Sequence, residues 1–180
     1  MTDIDYQWNP VESEEGVPFV WGSRISAYMK ENYSKPGVYR WSIWKGKRPG
    51  AVYIGEAEKV ARRIGQYLSP GSRDSTDHRI HDSLEKQFQK GLKIQLEILL
   101  IENTSLNSIR IANENLNDTF LRRLIENFVI ADTDTTQCAL MNCVLNPIER
   151  RIHKAKKMNQ FDEILRQAGF IVDHDEGYVL

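Results

Sequence analysis

Short runs of β-branched and aromatic residues predict a β-hairpin early in the chain. Residues 37–44 and 51–57 form two such runs, and the segment between them, Lys45-Gly-Lys-Arg-Pro-Gly50, has the composition of a turn. Residues 93–102 begin with alternating apolar and polar positions and end as an apolar run, which is typical of a strand that enters a core. The pattern therefore predicts three strands, the third of them central in the sheet.

Apolar residues at helical spacing predict amphipathic helices around these strands. The clearest helix covers residues 117–131, where apolar side chains recur at i, i+3, i+4, i+7 and i+8. Its opposite face would carry Arg122, Arg123 and Glu126. Further helices are predicted at residues 22–30, with Ser23 as the cap, and at residues 58–68, 77–89, 149–157 and 159–168.

These elements predict a single α/β (α+β) domain with a small three-stranded mixed sheet flanked by helices. The length of 180 residues fits one domain with a core of its own. Residues 1–34 would form an N-terminal arm and a short helix, residues 35–148 the core, and residues 149–180 a C-terminal helical extension of the same domain. Within the core, the polar segment 103–115 is expected to be a loop or a small insertion.

Composition points to an ordinary globular protein. Apolar residues make up 41% of the chain and charged residues 27%. No apolar run approaches the roughly 20 residues that cross a bilayer, and the first six residues are acidic where a signal peptide would be basic. We therefore expect a cytoplasmic protein with no membrane partner. Cys138 and Cys143 are too few for a disulfide framework and have no neighbouring zinc ligands, so we interpret them as reduced core residues.

Charge is distributed unevenly along the chain. The net charge is -1, but all 24 Lys and Arg residues lie within residues 16–172, against 17 of the 25 acids. Such charge is usually solvated surface, and only clustering favours a phosphate-backbone partner. The candidate nucleic-acid contacts are Lys45, Lys47 and Arg48 at the hairpin tip, Arg62, Arg73, His78 and Arg79 on the helices and loop that follow, and Arg150, Arg151 and Lys154 near the C-terminus.

The pair His78 and His81 has the i, i+3 spacing of a helical metal site. No third ligand is evident nearby, so a basic helix edge in contact with nucleic acid is the better interpretation.

Several motif residues follow one another at set intervals along the chain. Gly37-Val-Tyr39 is followed, after thirteen intervening residues, by Tyr53-Ile-Gly55, and Arg63 lies eight residues beyond that. This order resembles the GIY-YIG nuclease superfamily, and Leu124-Ile-Glu126 and Met141-Asn142 are similar to the glutamate and asparagine motifs of the family. The resemblance covers roughly residues 35–146, and it is the ordered set rather than either tripeptide that makes it specific.

The resemblance implies metal-dependent hydrolysis of a nucleic-acid phosphodiester. Glu126 would hold a single Mg²⁺ or Mn²⁺, with no organic cofactor, and Arg63 would stabilise the phosphate charge. Tyr39, with Tyr53 beside it, would be the general base or would orient the attacking water. Tyr67 stands where many members have His and cannot titrate near neutral pH as His does.

Each of these residues also has a purely structural interpretation. Tyr39 alone would be a core residue, Arg63 a solvated helix residue, and Glu126 the i+4 partner of Arg122. Asn142 could cap a turn, and Asn146 competes with it for the motif position.

DNA is the commoner substrate of the family. The small size of the chain resembles type II restriction endonucleases of the family, which cut both strands as a homodimer, and a standalone repair or mobile-element nuclease is the nearest rival. Two other classes stay open at the level of sequence. One is a nucleic-acid-binding module that kept the fold and lost catalysis, and the other is an unrelated small α/β enzyme in which both tyrosines are core residues.

Overall fold

The computed structural model describes residues 5–101, 104–106, 109–133 and 138–144. The contacts below belong to a compact unit that ends at Asn142, and only Cys143 and Val144 of the following unit are described. The helices predicted at residues 149–157 and 159–168 lie outside the described residues, as do Arg150, Arg151, Lys154 and Asn146.

The described chain is a mixed α/β structure, as predicted. The strands are β1 (Tyr6–Pro10), β2 (Gly37–Lys45), β3 (Arg48–Ala57), β4 (Lys93–Ile101), β5 (Thr104–Leu106), β6 (Ile109–Ile111) and β7 (Ala139–Leu140). The α-helices are α1 (Ala27–Asn32), α2 (Val60–Leu68), α3 (Thr76–Phe88), α4 (Thr119–Asp132) and α5 (Met141–Val144), and a 3₁₀ turn covers Asn113–Asn117. Among these helices, none is both long and apolar enough to cross a membrane.

The main sheet has five strands in the order β1-β4-β2-β3-β7, so the predicted number of three is wrong in detail. The predicted hairpin is β2 paired with β3, and β4 is an interior strand between β1 and β2. The additional strands lie at the two edges. β1 comes from the predicted arm and pairs antiparallel with β4, whereas β7 pairs parallel with β3, which makes the sheet mixed.

Successive residues of β2 face opposite sides of the sheet. Tyr39 and Trp41 are wholly buried on the side that packs against α2 and the segment before α1. On the other side, the buried carboxylate of Glu97 accepts hydrogen bonds from the Arg40 guanidinium and the Ser42 hydroxyl. Helix α4 covers this second side, where its Phe128 packs edge-on against Tyr6 of β1. The tyrosines of the two sequence motifs therefore belong to the α2 side of the sheet.

Two local predictions differ from the structure, and the structure adds detail to a third. Helix α1 begins after Ser26 rather than Ser23, because Gly22 has a left-handed φ of 88° and turns the chain before Ser26 can cap the first turn. The segment predicted as a loop or a small insertion contains the β5–β6 hairpin and the 3₁₀ turn. Cys138 carries a free thiol and is only partly buried, so it is not a core residue.

Candidate functional site

Three tyrosine hydroxyls meet at the α2 side of the sheet. The Tyr67 hydroxyl lies 2.7 Å from that of Tyr39 and 3.3 Å from that of Tyr53, so the three form a hydrogen-bonded chain with Tyr67 in the middle. Strands β2 and β3 and helix α2 contribute one residue each. The ring of Tyr67 is perpendicular to that of Tyr53, an arrangement that aromatic pairs favour. The structure thus brings Tyr39 and Tyr53 together, and it adds Tyr67 as the link between them.

Gly55 leaves the room that Tyr39 occupies. The two residues face each other across the β2–β3 pair, and a Cβ at position 55 would lie 2.5 Å from the Tyr39 hydroxyl oxygen and 2.7 Å from Cζ. Such contacts are far closer than van der Waals packing allows. Gly55 of the second motif is therefore required because the Tyr39 ring of the first motif occupies the space that a larger side chain would need.

Arg63 completes the cluster from the turn of α2 that precedes Tyr67. Its guanidinium carbon lies 4.9 Å from the centre of the Tyr67 ring, in the geometry of a cation–π contact. Its Nη1 lies 2.9 Å from Oδ1 and 3.0 Å from Oδ2 of Asp77, the second residue of α3. The Arg63 side chain is 31% exposed, so it is neither a core residue nor a freely solvated one. Stacking and the ion pair hold the guanidinium beside the tyrosines.

Burial makes the motif phenols difficult to ionise. Burial raises the pKa of Tyr39 well above its usual range, the neighbouring Tyr67 and Tyr53 add to this effect, and the charge of Arg63 opposes it. The pKa of Tyr53 is raised well above its usual range for the same leading reason, with a contribution from the negative charge of Glu126. Both phenols are therefore protonated at neutral pH.

The same electrostatic contribution connects Glu126 to the cluster. Glu126 is a half-buried residue of α4, on a different element from the tyrosines, yet its charge acts on Tyr53. Arg122, the i+4 partner in the structural interpretation of Glu126, pairs with Glu56 at 2.6 Å and donates to the Leu116 carbonyl at 2.8 Å.

Arg122 itself is only 3% exposed, although the helical pattern predicts it on the solvent face of its helix. Charged side chains are seldom buried without a partner. Glu56 is that partner, and it directly follows Gly55 on β3.

Asn142 does not face the tyrosines but supports the strand that carries Tyr53. Its side-chain amide donates to the Ile54 carbonyl at 2.6 Å, and its side-chain oxygen accepts from the Ile54 amide at 2.8 Å. These two hydrogen bonds lie two residues beyond the last β3–β7 pair, Val52 with Leu140. Asn142 is thus a backbone clamp.

The predicted nucleic-acid contacts are not all near the cluster. Lys45, Lys47 and Arg48 are exposed at the hairpin tip. The tip is six residues along β2 from Tyr39, or about 20 Å in an extended strand. Arg62 is exposed on α2 beside Arg63.

The remaining described candidates lie on α3 and the loop before it. Arg73 and Arg79 are exposed, whereas His78 is half-buried with its Nε2 3.6 Å from Asp82. Nδ1 of His81 lies 2.7 Å from the Tyr67 carbonyl oxygen, so this ring supports the backbone of α2. No group of three or more His, Cys, Asp or Glu residues that could hold a metal ion occurs in the described part of the chain.

A groove runs beside the cluster, between α2 and the start of α4. It has a volume of about 420 Å³, and Arg63 lines both the groove and the tyrosine cluster. We call it the α2–α4 groove, and the other side chains used below are those of Lys59, Arg62, Gln66, Thr119 and Arg123.

Sequence reasoning missed three residues of this region: Asp77, Glu56 and the buried Arg122. The position of Asp77 at the start of the predicted helix 77–89 was the available signal for the first of them. Glu56 and Arg122 are 66 residues apart in sequence, so no local pattern connects them.

No family model, no curated protein and no solved structure matches this chain significantly. The resemblance to the GIY-YIG superfamily therefore rests on the motif residues of the sequence.

Proposed function

We propose that this protein is a GIY-YIG-type endonuclease that hydrolyses DNA phosphodiester bonds with one Mg²⁺ or Mn²⁺ per site. The observation that carries the proposal is the meeting of Tyr39, Tyr53 and Tyr67 with Arg63, which come from three separate elements. Tyrosines that only fill a core do not need a guanidinium beside them. A site for phosphate chemistry needs such a positive group, because charge on the phosphate oxygens must be offset.

Arg63 would bind the phosphate. Its contacts with Asp77 and Gln66 use Nη1, and the Tyr39 hydroxyl accepts a further hydrogen bond from the guanidinium. A guanidinium has five N–H donors, so donors remain for a phosphate oxygen. The stack on Tyr67 and the ion pair with Asp77 fix the plane of the guanidinium, so that little side-chain entropy is lost when phosphate binds.

Tyr53 is more accessible to solvent than Tyr39. The sequence motifs favour Tyr39 as the general base, but Tyr39 is 0% exposed, whereas Tyr53 is partly exposed and senses the charge of Glu126. We therefore assign contact with the attacking water to Tyr53. Tyr67 and Tyr39 would hold the Tyr53 hydroxyl in position through the chain of hydroxyl groups, and the proton of the water would leave to solvent.

Glu126 fits the role of metal ligand. Mg²⁺ prefers oxygen ligands, keeps several water molecules and is often bound through one or two carboxylates. A half-buried carboxylate whose charge reaches Tyr53 meets that requirement without further protein ligands. When bound, the ion would offset charge on the phosphate and lower the pKa of a bound water.

Nicking of a supercoiled plasmid with and without Mg²⁺ tests the proposal. We expect Arg63→Ala and Glu126→Ala to lower the nicking rate at least about 100-fold. Two exposed residues outside the cluster supply matched controls, Arg24→Ala and Glu31→Ala, which should nick at the wild-type rate.

Metal-dependent cleavage that survives both site substitutions would contradict the assignment of these residues. DNA binding by the wild type without any cleavage would instead support a non-catalytic nucleic-acid-binding module. Absence of both would favour an unrelated α/β enzyme.

The restriction-type form of the proposal requires a homodimer, because one site cuts one strand. In that case the first product from a plasmid would be linear, and the rate would fall steeply with dilution. A standalone monomeric nuclease would release nicked circles first at every protein concentration.

A further inference from the structure

We propose that the α2–α4 groove binds the sugar-phosphate backbone next to the phosphodiester that is cut. This inference rests on the proposed function and deepens it, because it assigns a second anion-binding surface to the same substrate. Arg63 connects the two, since it stacks on Tyr67 and also lines the groove. A strand whose scissile phosphate meets Arg63 would have its next phosphates in the groove.

The charge of the groove favours a polyanion. Five basic residues and two acidic ones line it, in a chain whose net charge is -1. One of the acids, Glu56, is already neutralised by the buried Arg122. Lys59 and Arg62 are exposed and form no ion pair within the part of the chain that the structure describes.

The donors form a continuous row on α2. Lys59, at the cap position, is followed at i+3, i+4 and i+7 by Arg62, Arg63 and Gln66, which places all four on one face of the helix. Seven residues of helix span about 10 Å. A DNA strand carries one charge per roughly 3.4 Å of helix axis, so the row can contact two or three consecutive phosphates.

The opposite wall of the groove supplies further donors. Arg123 on α4 is 68% exposed, and its Nε lies 3.6 Å from Glu56, a long contact that a phosphate could replace. The hydroxyl of Thr119 and the amide of Gln66 are uncharged groups of the type that commonly contact phosphate and sugar. These contacts carry no sequence information, so the groove would set the position and polarity of the strand rather than its sequence.

The dependence of DNA binding on salt concentration tests the groove. A fluorescent duplex of about 30 base pairs is titrated in EDTA, so that binding is measured without hydrolysis, across a range of salt concentrations. The slope of log K against log salt is negative, and its magnitude measures how many phosphates are neutralised. For the triple variant Lys59→Gln, Arg62→Gln and Arg123→Gln, we expect this magnitude to fall by about 2 to 3, near 0.9 for each phosphate that the variant no longer neutralises.

A control removes the same charge elsewhere on the surface. Lys30, Lys86 and Lys90 are exposed and lie outside the groove, so the triple variant to Gln at these positions should keep the wild-type slope. A wild-type slope in the groove variant, or an equal fall in the control variant, would overturn the inference.

Mg²⁺-dependent nicking, measured in parallel, separates this inference from the proposed function. Nicking by the wild type together with an unchanged slope in the groove variant would support nuclease activity and contradict backbone binding by the groove. The expected decrease in the magnitude of the slope without any nicking would support backbone binding by the groove and contradict nuclease activity.

Discussion

The Nε of Arg122 lies 2.6 Å from Oε2 of Glu56, and this ion pair joins helix α4 to the strand that carries Tyr53. Arg122 also donates to the Leu116 carbonyl at 2.8 Å. Glu126 follows Arg122 by one helical turn on α4. The Arg122–Glu56 pair therefore helps to fix the position of the Glu126 carboxylate along the helix axis relative to β3. The Arg122–Glu56 pair thus links the two halves of the candidate site.

Arg122→Ala should destabilise the protein by about 3–5 kcal/mol, because it leaves Glu56 and the Leu116 carbonyl without their partner in a largely buried position. The free energy of unfolding is obtained from urea titration. The neighbouring Arg123→Ala is a matched control, since its side chain is 68% exposed and its removal should change that free energy by less than about 0.5 kcal/mol. Equal effects of the two substitutions would contradict the structural role of Arg122.

The same pair shows where sequence reasoning reaches its limit. A charged residue within an amphipathic helix is normally solvent-exposed, and the burial of Arg122 depends on a partner 66 residues away. The hairpin was predictable because its strands and turn have distinctive local composition. β1 was not, since five residues that end in proline carry little strand signal, and they form a strand only because the edge of β4 is available.

The order of the motif residues along the chain was sufficient to predict that Tyr39, Tyr53 and Arg63 lie together. It was not sufficient to predict which of them water can reach. Exposure depends on how α2 packs over the sheet, and that packing buries Tyr39 completely while leaving Tyr53 partly exposed. The orientation of Asn142 toward the backbone of Ile54 likewise follows from the short parallel strand β7, which has only two residues.

Gly55→Ala should displace the Tyr39 ring. The added Cβ would lie 2.5 Å from the Tyr39 hydroxyl oxygen, so either the ring or strand β3 must move. We expect a loss of about 1–3 kcal/mol in the free energy of unfolding, as for other overpacked sites, and disruption of the contact between Tyr39 and Tyr67. In the control Gly71→Ala the new methyl group meets nothing within 4 Å, so stability should be unchanged within about 0.5 kcal/mol.

The buried phenols make stability depend on pH in alkaline solution. Burial raises the pKa of Tyr39 and Tyr53 well above the value of about 10 that tyrosine has in the unfolded chain. Above pH ~10 the unfolded chain therefore loses protons that the folded chain retains, and stability falls as pH rises; below pH ~9 these groups contribute no pH dependence.

Tyr39→Phe removes one of the two groups that bind a proton more tightly in the folded chain than in the unfolded chain. The decline in the free energy of unfolding between pH ~10 and 11 should become shallower by up to about 1.4 kcal/mol per pH unit. Urea titrations at several pH values measure this slope. A slope equal to that of the wild type would show that the Tyr39 phenol ionises in the folded protein.

Tyr67→Phe tests the contribution of the chain of hydroxyl groups independently of the contact between Tyr67 and Arg63. The substitution keeps the aromatic ring on which Arg63 stacks, but it removes the partner of the Tyr39 hydroxyl at 2.7 Å and of the Tyr53 hydroxyl at 3.3 Å. If this chain holds the Tyr53 hydroxyl against the attacking water, the maximal nicking rate should fall by about 100-fold or more, whereas DNA binding in EDTA should stay at the wild-type level. Loss of binding as well would indicate that the hydroxyl serves mainly to hold Arg63.

Tyr67→His at the same position distinguishes proton transfer from simple positioning. An imidazole can replace the hydroxyl as a hydrogen-bonding group, and its ordinary pKa is about 6.5. A neutral imidazole can accept a proton that a neutral phenol cannot, so Tyr67→His should nick faster than Tyr67→Phe, and its rate should rise with pH through the region of about 6 to 7. A pH profile parallel to that of Tyr67→Phe would mean that the imidazole accepts no proton, and the group at position 67 would then serve only to position the Tyr53 hydroxyl.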